Sequence, residues 1–171
     1  QMGVDDFYLI EPDANTIVYS TAKGIDFGTS LLTGPQSGSA LAVLIQSLNS
    51  SPEPGVAAVR DFTSYAAAGD EPSMFVAAPV YANGPLAGFV AVRIGPQRIS
   101  SITTNDGTWS AEGNSGETYV VGADNLMRSD SRLFIEDETE YLTAASDLGD
   151  VTEAQLRAMR TFGTTVLFQP I

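Results

Sequence analysis

Apolar positions in the first hundred residues fall into short runs broken by turn chemistry. The run DFYLIE (6–11) is aromatic and aliphatic and predicts a strand. PDAN follows as a turn, because Pro presets φ and Asp and Asn tolerate the left-handed region; TIVYS is the returning strand. KGIDFGTSLLTGPQSG holds four glycines and reads as loop with one short helical turn at most. The spacing changes in SGSALAVLIQSL, where Leu41, Leu44, Ile45 and Leu48 share one helical face behind a serine cap, and NSSPEPG ends that helix. VAAVRDFTSYA, MFVAAPVYA and LAGFVAVRI then predict three strands, separated by AGDEPS and NGP. The Asn83-Gly84 pair suits a hairpin turn that needs positive φ. Two strands, a helix and three antiparallel strands make a small α+β module, with PQRISSITT leading out as helix or turn.

The opening pattern then returns. Aligning Asp13 with Asp124, an offset of 124 − 13 = 111, sets Tyr8 on Tyr119, Leu9 on Val120 and Ile10 on Val121. Each copy is an apolar run, an Asp/Asn turn and a second short run ending in Ser or Thr. Two hairpins can match this well by chance, so the order of the elements carries the reading. Gly-, Ser- and Asn-rich NDGTWSAEGNSGE reads as a linker. IEDETEYL is an acidic loop or helix start. VTEAQLRAMRTFG predicts a helix with Thr152 as cap, Leu156 and Met159 inward and Gly163 as stop, and TTVLFQPI predicts a strand. The expected fold is α+β: tandem PAS-like modules over 1–104 and 105–171, each a central antiparallel sheet flanked by helices, the second incomplete. A truncated module leaves strand edges uncovered, which dimerisation or proteolysis would each explain.

Composition narrows the chemistry. The 171 residues carry 8 basic and 21 acidic side chains, a formal net charge of −13, and Lys23 is the only lysine. Such a chain repels nucleic acid and anionic membranes, and no nucleic-acid partner is expected. Without Cys or His there is no disulfide, no thiolate metal site, and no Ser-His-Asp or Cys-His catalysis. No apolar run approaches the roughly 20 residues that span a bilayer. A segment cut from a larger membrane protein is expected, with Gln1-Met2 as the cut edge.

FYLIEPDANTIVYS, DFGTSLL, FVAAPVYANGPLAGFVAVRI and GETYVVGADNLMRSDSR, in that order, resemble a double Cache sensor. These are extracytoplasmic ligand-binding regions of bacterial receptors, set ahead of cyclase, histidine kinase or chemoreceptor output modules. The resemblance implies a non-enzymatic sensor, outside the cytoplasm, in a membrane-anchored parent. It also implies a small-molecule ligand, an organic acid or other metabolite, in the membrane-distal module, which is residues 1–104 here. Family members have a long helix before the first hairpin; this sequence does not. The amino-acid-binding subgroup uses an Arg and an aromatic for the carboxylate and an Asp near the last strands for the amine. Here Ala66-Ala67-Ala68 follows FTSY and no Arg-aromatic pair lies in the preceding helix, so an amino acid is not the expected ligand.

Strand alternation sets the candidate pocket. Phe62, Ser64 and Ala66 share one face, Thr63 and Tyr65 the other, and Phe75, Ala77 and Pro79 share a face of the next strand. Small residues beside large aromatics leave room for a ligand, although ordinary core packing gives the same pattern. The ligand-binding expectation is Phe62, Ser64, Tyr65, Phe75 and Ala77, with Arg93 as an anion contact; Arg60 is a further anion contact or simply solvated. In MRSDSR no His or Lys activates a serine, so Asp130 and the serines are read as loop caps and the arginines as ion-pair partners. IEDETE lacks the spacing and glycine of a calcium loop, and the Gly-rich stretches have no Lys for a phosphate loop. No catalytic residue, metal or cofactor is expected. Two other classes stay open: a non-sensing structural module that dimerises through its helices, and a hydrolase using two facing carboxylates, for which no pair is visible in a strand or helix core. Trp109 in the linker is a burial or dimer-contact residue.

Overall fold

A computed structural model describes residues 3–106 and 116–171. Trp109 and most of the expected linker lie outside the described residues. The chain divides into two compact units, Gln1–Gly95 and Pro96–Ile171.

The first unit is built on β1 (Asp6–Ile10), β2 (Ile17–Ser20), α1 (Ala40–Ser50), β3 (Ala58–Tyr65), β4 (Glu71–Tyr81) and β5 (Leu86–Ile94). The strands form one antiparallel sheet in the order β2-β1-β5-β4-β3. The first hairpin closes on Glu11, whose carboxylate accepts the amides of Asp13 and Thr16, each at 2.7 Å. Asn83 (φ 53°) and Gly84 (φ 113°) take the left-handed turn their types favour and close β4 onto β5.

Helix α1 starts on Ser39, whose hydroxyl accepts the Ala42 amide. It buries Leu41, Leu44, Ile45 and Leu48, the face expected from spacing, against Tyr8, Ile10, Phe75, Ala77 and Phe89 of the sheet. The loop over residues 21–39 is tied down on both sides. The Ile17 amide donates to the Thr29 carbonyl and the Gly28 amide to the Ile17 carbonyl, so the loop occupies the outer side of β2. Gln46 of α1 donates to the Leu31 carbonyl at 2.8 Å. At the other margin of the sheet β3 is broken by a bulge between Arg60 and Thr63.

The second unit holds α2 (Pro96–Thr103), α3 (Arg132–Glu136), α4 (Glu138–Leu148) and α5 (Glu153–Phe162). Helix α5 has the expected cap at Thr152, buries Leu156 and Met159, and stops at Gly163. Asp130 is its polar hub: it accepts from the Ser100, Thr164 and Thr165 hydroxyls and the Thr165 amide. Arg128 pairs with Asp124 and Arg132 with Glu136, both at 2.8 Å, the structural roles expected of MRSDSR.

Two expectations fail in this unit. The second copy of the hairpin is reduced to the isolated bridge Val121–Met127, and TTVLFQPI is a turn joined to residues 125–127 by one isolated bridge, Leu126–Pro170, and three backbone hydrogen bonds. The reason is local. Asp130 fixes Thr164 and Thr165, Leu167 takes φ 69°, and the Phe168 and Gln169 amides fold back onto the Thr165 carbonyl. Among the described residues the second unit therefore has helices and isolated bridges where a sheet was expected. No helix of the described residues is long and apolar enough to cross a membrane.

Candidate functional site

Residues directly opposed in an antiparallel pair point to the same face. Register thus sets three rows across β1, β5 and β4: Asp6–Arg93–Phe75, Tyr8–Ala91–Ala77 and Ile10–Phe89–Pro79. The last two rows are apolar and lie in the core beneath α1. The first row is charged, so one end of the inner face is polar.

At that end β3 contributes Tyr65. The bulge matters here, because it brings Thr63 and Tyr65 into register with Ser73 and Glu71 and so onto the inner face. The loop contributes Asp26, which is 2 % exposed, and Tyr65 Oη donates to Asp26 Oδ2 at 2.6 Å. Phe75 sits between two tyrosines, edge-on to Tyr65 at 5.0 Å and tilted against Tyr8 at 6.5 Å.

Burial pushes the Tyr8 phenol far above its ordinary range, and the Asp26 and Asp6 charges add to this. Burial does the same to Tyr65, with Tyr8 and Asp26 adding. Both phenols therefore stay protonated and serve as donors. Burial raises the Asp6 carboxyl, but hydrogen bonds from Thr21, the Ala22 amide, Ser20 and Tyr8 outweigh it and hold the group below the usual carboxylate range. Arg93 Nη1 reaches Glu71 at 3.0 Å and Ser73 at 3.4 Å.

Of the residues expected at the site, Tyr65, Phe75, Ala77 and Arg93 share this inner face. Ser64 does not: it is exposed and bonded to Asp70 at 3.2 Å. Phe62, beside the bulge, is buried apart from the core beneath α1, and Arg60 is exposed. Asp6, Tyr8 and Asp26 were not anticipated. Asp26 sits inside the quoted DFGTSLL stretch, but alternation says nothing about an acid in a loop.

Asp6 on β1 and Asp26 on the covering loop are both buried, and both charges act on Tyr8. Held below its usual range, Asp6 stays ionised near neutral pH. Among the described residues no cluster of three or more metal-ligating side chains occurs. One end of the sheet thus brings together a buried carboxylate on the loop, two protonated phenols and a guanidinium paired with Glu71.

No family model matches the chain, and no curated protein matches it. Among solved structures it is similar to an extracellular ligand binding receptor from Desulfohalobium retbaense, at 14% identity over 77% of this chain and 22% of that one, with a TM-score of 0.52. The ligand-binding domain of the Pseudomonas aeruginosa amino acid chemoreceptor PctC, in complex with GABA, aligns at 15% identity over 74% of this chain and 49% of its own, TM-score 0.48. The sensor domain of the V. cholerae histidine kinase DctB aligns at 16% over 98% and 54%, TM-score 0.43. The chain thus spans between about a fifth and about half the length of these structures. The antiparallel sheet with its covering helix and loop thus shares its fold with part of the Desulfohalobium retbaense extracellular ligand binding receptor.

Proposed function

We propose that the chain is a non-enzymatic, extracytoplasmic ligand-sensing segment of a membrane-anchored receptor. Its first unit binds a small metabolite at the polar end of the inner sheet face and passes the change to a kinase, cyclase or chemotaxis output. One observation carries the reading: the 2.6 Å hydrogen bond from Tyr65 on the sheet to Asp26 on the covering loop. A ligand amine or hydroxyl that competes for Asp26 releases Tyr65 and changes how the loop is held. The shift between the two arrangements is limited by the ligand's differential affinity for them. The acid missing after Tyr65 in the sequence is replaced through space by Asp26, so an amino acid stands among the candidate ligands beside an organic acid.

A second reading, a non-sensing structural or dimerisation module, is favoured by the packing, since Tyr8, Tyr65, Phe75, Leu41 and Ile45 are each at most 1 % exposed. A thermal-shift screen of small amines, carboxylates and sugars decides between them. A ligand at 100 times its Kd stabilises by about 2.7 kcal/mol. The sensor reading expects such a hit in the wild type and its loss in Asp26→Asn with the fold intact. A hit that survives in Asp26→Asn removes the site, and a silent screen leaves the structural module.

A further inference from the structure

The second unit carries a groove of about 420 Å³ that shares no residue with the Asp26–Tyr65 site. Its apolar lining comes from α3 and α4, chiefly Leu133, Tyr141, Ala144 and Leu148. Leu133 and Leu148 are 64% and 74% exposed, so this surface packs against little among the described residues. The rim is acidic. Asp137 serves as the cap of α4 and Glu136 is paired with Arg132. Glu140 and Asp150 form no ion pair with a described residue.

A first-turn acid complements its helix dipole, which accounts for Glu138 and Glu140 as helix starters. Asp150, between the C-terminal Gly149 of α4 and the Thr152 cap of α5, lines the same groove. Gln169 supplies a further polar group to the lining. Its Nε2 donates to the Pro170 carbonyl at 2.9 Å, and its Oε1 is buried without a hydrogen-bond partner.

An apolar lining beside Glu140 and Asp150, which form no ion pair with a described residue, asks for one chemistry. We propose that this groove binds a small organic cation with an apolar body, an arylalkyl or alkyl amine. Its ammonium lies between Glu140 and Asp150 and its apolar part lies over Leu133, Tyr141 and Leu148. The volume falls in the range of small-molecule sites, roughly 300–1,000 Å³. Charge complementarity selects the cation: an anion meets four carboxylates, and a neutral apolar molecule leaves them unused.

The test is calorimetric titration of the chain with phenethylamine, with 3-phenylpropanoate as the anionic control, and amide NMR to map the contact. Saturable binding of the amine is expected, with shifts over residues 133–150 and none for the carboxylate. Glu140→Gln with Asp150→Asn should weaken binding about tenfold, the sum of two exposed ion pairs. Ala144→Trp, at an exposed position in the lining, should fill the groove and abolish binding with the circular dichroism unchanged. Equal affinity for the carboxylate, indifference to both variants, or shifts confined to the Asp26–Tyr65 end of the first unit would each overturn the proposal. So would groove amides that change with protein concentration alone, which would make a second copy the occupant.

Discussion

Asp6 is buried and, besides Tyr8, accepts from Ser20 Oγ at 2.9 Å, Thr21 Oγ1 at 2.6 Å, the Ala22 amide at 2.9 Å and the Phe7 amide at 2.8 Å. Glu11, although little buried, is likewise held below its usual range; its slight desolvation is outweighed by the amides of Thr16, Asp13 and Ala14. A carboxyl depressed in the folded state contributes stability that is present above its unfolded pKa and is lost as pH falls through its folded value. Chemical denaturation should therefore find stability level near neutrality and falling below about pH 4. Asp6→Asn should flatten that acid limb, and a variant with an unchanged acid limb would show that Asp6 is not its source. None of these bonds was legible in the sequence. Alternation reports which strand residues share a face, and it identified Phe75, Ala77 and Tyr65 as residues of interest. It cannot report that a loop acid arrives beneath a tyrosine 39 positions away.

Helices and hairpins with their own punctuation were legible. Ser39 and Thr152 cap their helices, Gly163 stops α5, and Asn83-Gly84 turns β4 into β5, all as their residue types require. What failed was TTVLFQPI, because an apolar run becomes a strand only when a partner offers a ladder, and the Asp130 hub bends this one into a turn. The β3 bulge was equally invisible, and it separates Ser64 from Tyr65's partners. Gly88 shows a constraint at this scale. Its φ is 152°, and a Cβ there would lie 2.4 Å from the Ile10 carbonyl oxygen, where β5 runs against β1. Gly88→Ala should cost about 2 kcal/mol or more in urea unfolding, from backbone strain and the clash together. A loss under about 0.5 kcal/mol would mean that β1 gives way freely.

A net charge of −13 on 171 residues sets a property of the whole molecule. Self-repulsion opposes the compact state, and salt screens it over about 10 Å at 0.1 M ionic strength. Raising sodium or potassium chloride from a few millimolar to about 0.3 M should raise the melting temperature by a few degrees, the equivalent of under about 1 kcal/mol. A melting temperature that falls with either salt would show that attractive ion pairs such as Arg93–Glu71 outweigh the repulsion. The sheet margins have a different consequence. One outermost strand, β2, is covered by the loop that bonds to Ile17, and the other, β3, is interrupted by its bulge and bears Arg60 and Asp61. Neither flank offers an uninterrupted template for a foreign strand, so ribbon-like polymerisation is blocked at both ends. That protection matters most where the folded chain is concentrated.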